Sequence, residues 1–404
     1  MSSRPASGYF ERWRSVAVPY TALRVGGQAS EFLGFLILAR RLEPSGFGQL
    51  SIAFLVCRYA GLIGDWGALT RGSRDVAASG RHGSPAAFVR HRTLVTVVMT
   101  LVAAGGFVAT GWSQLVPTVA VILGLGLSRD WVALGREQGP RAATPAAVQG
   151  GVLLVASLAA TSPASGAIAV GLGYGAAAIT SIGLNPVSRE GTESRNKAPA
   201  PWILLAVLAI QVTSTADTLL LGALRSSAEA GIYAAINRLP NAWIALLTAL
   251  MFGALPITTR AMAEDPIAYQ QLRRRSIRVS AVLGIAVALA APIVYLLIPV
   301  LYGESYLDGQ LPAVVLTVST GVLTFSLPLH VFAVTTGRDR RYFALVGIGA
   351  VVNIGLNLLV IPRWGTVGAA AATLAAQALI AVLLWSQTIH PSAPAHEALH
   401  PATP

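Results

Sequence analysis

Charged residues fall inside stretches of this chain that are otherwise apolar enough to cross a membrane. Thr21, Arg24, Gln28 and Glu31 stand at spacings of three, four and three residues, which stacks them on one face of an α-helix turning every 3.6 residues. Arg58 and Asp65 are seven apart, two turns, and share a face of the next apolar stretch. If the first helix begins near Val16, Arg24 lies about 12 Å deep at a rise of about 1.5 Å per residue. An ionised side chain at that depth costs several kcal/mol against lipid, so these polar faces are expected to look into a protein-lined, wet cavity. Arg238, in INRLPNAW, is a third arginine within a span. A guanidinium donates to two phosphate oxygens at once, and three of them leave a surplus of positive charge, so a cavity lined by Arg24, Arg58 and Arg238 implies an anionic cargo. The competing reading is structural: Arg24 paired with Glu31, Arg58 paired with Asp65, and Arg238 snorkelling to the interface where Pro240 kinks its helix.

A second polar set lies further along. Asp217 has Gln211, Ser214, Thr215 and Thr218 around it, Asn353 and Asn357 stand one turn apart, and so do Thr373 and Gln377. Oxygen-rich clusters at membrane depth suit a Na+ or proton site, which makes Asp217, Asn353 and Asn357 the candidates for ion coupling. Interhelical hydrogen bonding is the other use of such residues. No other cofactor is expected. There is no GxxxxGK[ST] phosphate loop, which excludes nucleotide hydrolysis by that route.

These residues need a membrane-embedded scaffold, and the composition supplies one. The 404 residues are 54% hydrophobic and 11% charged, too few polar residues to cover a soluble surface of this size. Apolar windows fall near 16–39, 46–69, 93–112, 115–135, 143–161, 164–184, 201–223, 230–258, 277–301, 311–336, 342–362 and 366–389, twelve spans of an all-α polytopic membrane protein. The basic residues follow the same count. Of 29 Lys/Arg, 22 lie in the amino-terminal tail, in the even-numbered loops or, as Arg129 and Arg278, in the window ends that lead into those loops, and four, Arg40, Arg41, Arg225 and Arg363, lie in the odd-numbered loops. By the positive-inside rule both termini are expected to be cytoplasmic. The basic excess is thus one of loop orientation, not a nucleic-acid footprint. The amino-terminal 15 residues lack the h-region and cleavage site of a signal peptide. Cys57, the single cysteine, excludes intrachain disulfides and thiolate metal clusters.

The chain divides into an amino-terminal six-helix lobe (1–184), a polar cytoplasmic linker (185–200), a carboxy-terminal six-helix lobe (201–389) and a mobile cytoplasmic tail (390–404) in which His390, His396 and His400 are too loosely spaced for a metal site. A weak internal repeat supports the halves. LARRLEPSGFGQLSIAF and LGALRSSAEAGIYAAIN align with Gly48 on Gly231, and PASGAIAVGL and GTVGAAAATL align with Gly166 on Gly368. Six spans per half make parallel repeats, which place a site near the midplane between them. VGLGYG at Val170 to Gly175 looks like a potassium filter but fills a whole span, so its glycines serve helix packing.

ILARRLEPSGFGQLSIAF, DTLLLG, AGIYAAINRL, LYGESY and NIGLNLLVIPRWGTVGAA, in that order, resemble the polysaccharide flippases of the multidrug/oligosaccharidyl-lipid/polysaccharide exporter superfamily. Residues 72–200 resemble them in hydropathy only. The resemblance implies two six-helix lobes around a central cationic cavity, alternating access, and a polyprenyl-pyrophosphate-linked oligosaccharide moved to the outer leaflet for surface polysaccharide assembly. It implies no covalent chemistry, and a polysaccharide polymerase and glycosyltransferases as partners. The expected substrate-binding residues are Arg24, Gln28, Glu31, Arg58, Asp65 and Arg238. The alternatives are a drug or metabolite antiporter of the same superfamily, whose cationic cargo calls for surplus acids, and a membrane glycosyltransferase or ligase. The latter calls for a large acidic external loop, whereas the loop after the ninth span offers only Glu304 and Asp308.

Overall fold

The computed structural model describes residues 6–68, 72–73, 76, 86–136, 138–186, 201–244, 246–247, 266–335 and 339–389. The first two spans form one long element, α1 (Ala6–Asp65), broken at Glu43, whose φ of 56° and ψ of 171° leave the helical region. The break falls where Pro44 follows, because proline disfavours helical geometry in the residue before it. At the other end α12 (Asp339–Ile389) folds back in the same way at Gly365, with φ 50° and ψ −131°, a conformation natural to a residue without Cβ. Between them run α2 (Ala86–Ala109), a 3-10 turn (Ser113–Val119) with α3 (Ala120–Gly126) and α4 (Asp130–Gly135), α5 (Gly139–Ser157), α6 (Pro163–Leu184), α7 (Pro201–Leu224), α8 (Ser227–Ile236), α9 (Pro266–Leu289), α10 (Ala291–Tyr302), a second 3-10 turn (Glu304–Gly309) and α11 (Gln310–Thr335). Two helix starts carry side-chain caps: Ser162 and Ser165 form a reciprocal capping box at α6, and Ser226 accepts from the Glu229 N–H at α8.

Two spans differ from the even helices that hydropathy suggests. The fourth is a 3-10 turn followed by two short helices, with Pro117 and three glycines interrupting its ladder. The ninth bends by 54° between α9 and α10. Pro292 stands in the first turn of α10 and lacks the N–H that would continue the helix across Ala290. VGLGYG lies inside the unbroken α6.

α1 packs on α5, α3 and α2, and α6 packs on α5 and α3; in the second half α12 packs on α7 and α11, and α9 on α11. Of the first group only α1 makes broad contact with the second, through α8, α7 and α10. The centre of that seam is a symmetric crossing. A Cβ on Gly48 would fall on the Ser227 carbonyl and 3.0 Å from the Gly231 nitrogen, and a Cβ on Gly231 would fall on the Pro44 carbonyl and 2.9 Å from the Gly48 nitrogen. Glycines that align in the repeat thus sit face to face, each against the residue four before the other. A similar contact stands beside each turn: Arg41 donates to the Ala160 carbonyl at 3.5 Å, and Arg225 to the Pro362 carbonyl at 3.3 Å. Tyr306 donates to the Ala39 carbonyl at 2.8 Å and Arg40 to the Val300 carbonyl at 2.9 Å, so the halves are closed at the end carrying the Glu43 turn. The expected linker from residue 187 and the tail from 390 lie outside the described residues.

Candidate functional site

Just below that seam, α1, α6, α7 and α8 bring charged side chains together. Tyr174, fully packed in α6, donates its hydroxyl to Glu31 Oε1 at 3.1 Å. The Arg238 guanidinium lies over the Phe35 ring, 3.3 Å from its centroid, with Phe47 and Phe54 each at 5.7 Å. Three ring faces attract a cation where water is excluded. They do not satisfy its N–H groups, and Nε of Arg238 is buried without an acceptor. Arg238 therefore does not snorkel; it stays in an aromatic cage within electrostatic reach of Glu31, Arg58 and Tyr174.

Arg58 donates Nε to Gln211 Oε1 at 3.3 Å, and Tyr59, one residue on, donates to the Gln211 carbonyl at 3.2 Å and pairs with the Thr215 hydroxyl at 3.0 Å. These bonds tie α1 to α7 across the two halves. Among the described residues no carboxylate forms an ion pair with Arg24, Arg58 or Arg238.

One expected member stands apart. Asp65 does not pair with Arg58: its Oδ1 takes Arg92 Nη2 at 2.6 Å and its Oδ2 the Ala68 N–H at 3.1 Å. The structural pairing of Arg58 with Asp65 is thereby corrected: the partner is Arg92, just ahead of the 93–112 window, which lies buried in α2 between Phe88 and Trp131 with each ring 5.8 Å from the guanidinium. Arg24, half-buried, stands two turns before Glu31 on α1 and is within the field of Asp130. Gln28 lies half-buried between them on α1.

Asp217 is fully buried in the second half. Its Oδ2 accepts from Tyr233 at 2.5 Å and Thr373 at 2.8 Å, and its Oδ1 from the Thr218 N–H at 2.9 Å. Asn357 Nδ2 donates to Asn353 Oδ1 at 3.1 Å, which leaves Asn357 Oδ1 and Asn353 Nδ2 buried without partners. No hydrogen bond joins the asparagines to Asp217, although α7 and α12 pack along one another. Spacing alone missed Tyr233 and the cage phenylalanines, because aromatic residues in an apolar helix read as core.

Long apolar helices, two of them folded back on themselves at Glu43 and Gly365, hold arginines without a carboxylate ion pair among the described residues where α1 meets α7 and α8. Solved structures share the fold. An inward-facing multidrug resistance MATE family transporter of the MOP superfamily superposes with TM-score 0.61 at 14% identity, covering 94% of this chain and 97% of that one. An outward-facing one gives 0.62 at 13%, covering 93% and 96%, and a substituted form of the Vibrio cholerae MATE transporter VcmN gives 0.62 at 14%, covering 95% and 99%. The fold is that of the MOP-superfamily transporters. The family model described as polysaccharide biosynthesis protein matches residues 200–310. No curated protein matches by sequence.

Proposed function

We propose that the protein carries a polyprenyl-pyrophosphate-linked oligosaccharide from the cytoplasmic to the outer leaflet of the plasma membrane, with both termini cytoplasmic. The observation that carries this reading is the pair Arg58 and Arg238 at the seam, neither in an ion pair with a carboxylate among the described residues, with Glu31 in the field of Arg238. A pyrophosphate offers both the compensating charge and the acceptors that the buried Arg238 Nε lacks. The family match to polysaccharide biosynthesis proteins points to the same cargo class. Polysaccharide polymerase and glycosyltransferases would supply and consume that cargo, outside this chain.

A drug antiporter is the second reading, favoured by the multidrug transporters among the fold relatives. One assay separates them. Proteoliposomes holding the purified protein and a fluorescent short-chain polyprenyl-pyrophosphate disaccharide should show accelerated loss of inner-leaflet probe, and a lipophilic cation should not compete. Acceleration of cation efflux with no movement of the pyrophosphate lipid would overturn the proposal in favour of the antiporter.

Ion coupling belongs to the same proposal, with Asp217, Asn353 and Asn357 as its site and Tyr233 and Thr373 holding the carboxylate. Asp217→Asn keeps the volume and removes the charge. It should abolish the stimulation of transport by a Na+ or proton gradient and leave the slow gradient-independent rate within about twofold, as expected when only the coupling charge is lost. Full gradient stimulation in that variant would reduce the three residues to packing.

A further inference from the structure

The face of the first half that points away from the seam holds a second basic site. A cavity of about 170 Å³ opens between α2, the end of α3 and α6, lined by Val89, Arg92, Thr93, Leu127, Arg129 and Ile182. α2 and α6 each pack on α3, so α3 is the floor of a groove with those helices as walls. Away from the cavity the walls are exposed and apolar: Leu94, Val98 and Leu101 on α2, and Leu172 and Ile179, the last 75% exposed, on α6. The cavity thus closes the end of a lipid-facing groove, on the side of the membrane to which Asp65 and the end of α6 run.

Its charges are unevenly matched. Asp65 is taken up by Arg92. Asp130 accepts from Ser181 Oγ at 2.5 Å. Arg92 spends Nη1 on the Ser128 carbonyl at 2.9 Å, and its Nε is buried with no acceptor. The Arg129 backbone N–H is held by Ser181 Oγ at 2.8 Å, which fixes the residue at the cavity wall, while its guanidinium makes no hydrogen bond or ion pair among the described residues. Arg129, anchored through its backbone and with a guanidinium that makes no bond among the described residues, lines with Arg92 the end of an apolar groove, an arrangement complementary to an anionic headgroup whose chains lie in that groove. Basic pockets between spanning helices at the cytoplasmic side take phospholipid headgroups in this way.

We propose that this cavity binds the phosphate of an anionic glycerophospholipid of the adjacent leaflet, with the acyl chains along α2 and α6. The site lies outside the arginine pair at the seam, so it does not depend on what the protein carries. Native mass spectrometry of the purified, detergent-solubilised protein tests it by titration with phosphatidylglycerol, phosphatidylcholine and inorganic phosphate. Phosphatidylglycerol should bind in preference to phosphatidylcholine. Arg129→Gln, which breaks no side-chain bond in the structure, should weaken the phosphatidylglycerol adduct about fivefold or more and leave phosphatidylcholine unchanged. Thr93→Phe, which fills the exposed lip and keeps both arginines, should do the same. Arg40→Gln, at the opposite end of the membrane, should have no effect. Equal binding of both lipids, saturation by inorganic phosphate alone, or wild-type affinity in both Arg129→Gln and Thr93→Phe would each overturn the assignment.

Discussion

Alanine at either Gly48 or Gly231 is expected to cut transport about tenfold or more while leaving the protein in the membrane. The reason is geometric. At both positions the atoms that an added Cβ would meet are backbone, the Ser227 carbonyl and Gly231 nitrogen in one case, the Pro44 carbonyl and Gly48 nitrogen in the other. Side chains rotate out of the way, but main chain in two packed helices does not. Overpacking of this kind costs about 1–3 kcal/mol. Here the cost falls on the arrangement in which the halves are closed at the Glu43 end, and a differential penalty of that size shifts a two-state equilibrium roughly 5–150-fold. Transport by alternating access needs that arrangement in each cycle, so the rate falls with its population. Because the contact is symmetric, the two substitutions should be alike in size, which a merely local defect would not require. Gly26→Ala and Gly105→Ala are the controls, since a Cβ at either meets nothing within 4 Å. Transport rates per unit of membrane-inserted protein decide it: if Gly48→Ala and Gly231→Ala match the controls, closure does not depend on this crossing.

The repeat aligns Gly48 with Gly231 in the sequence, but that the two meet is seen only in the fold, where each lies against backbone of the other helix. Periodicity placed Arg24, Gln28 and Glu31 along one face of α1, since helical spacing determines neighbours within a helix. It does not determine neighbours between helices. Asp65 finds Arg92, 27 residues away, and Arg58 finds Gln211, 153 residues away; nothing in local spacing distinguishes those partners from others of the same type. The bend between α9 and α10 has a visible cause in Pro292, yet a hydropathy window averages over it. Tyr174 sat within a glycine-rich run that signalled close packing, which is correct for its neighbours: Gly173 lies against Gln149 and Leu153. The hydroxyl that reaches Glu31 is the part of that run that packing logic passes over.

Arg238→Ala and Arg58→Ala should each stop surface polysaccharide export in a flippase-deficient strain, and the two lysine variants should separate the roles of charge and shape. At Arg238 the argument starts from the cage. Phe35 lies 3.3 Å under the guanidinium, a contact that a flat, weakly hydrated group makes well and an ammonium makes poorly. Arg238→Lys keeps the charge but loses the stacking and the fork, so it should restore only a small fraction of export. At Arg58 the single bond to Gln211 leaves the rest of the fork for a ligand, and Arg58→Lys should recover more, because the positive charge beside Glu31 and Arg238 survives. Loss of one charge-assisted bond to a phosphate corresponds to about 1.5–3 kcal/mol, roughly 10- to 150-fold in affinity. Arg24→Ala should fall well short of that, since Arg24 stands two turns before Glu31 on α1 and within the field of Asp130. Membrane levels of every variant must be measured beside export, so that misfolding is not scored as loss of function. If Arg58→Ala and Arg238→Ala insert normally and export normally, the arginines brace α1 against α7 and α8, and the anion-binding mechanism is wrong.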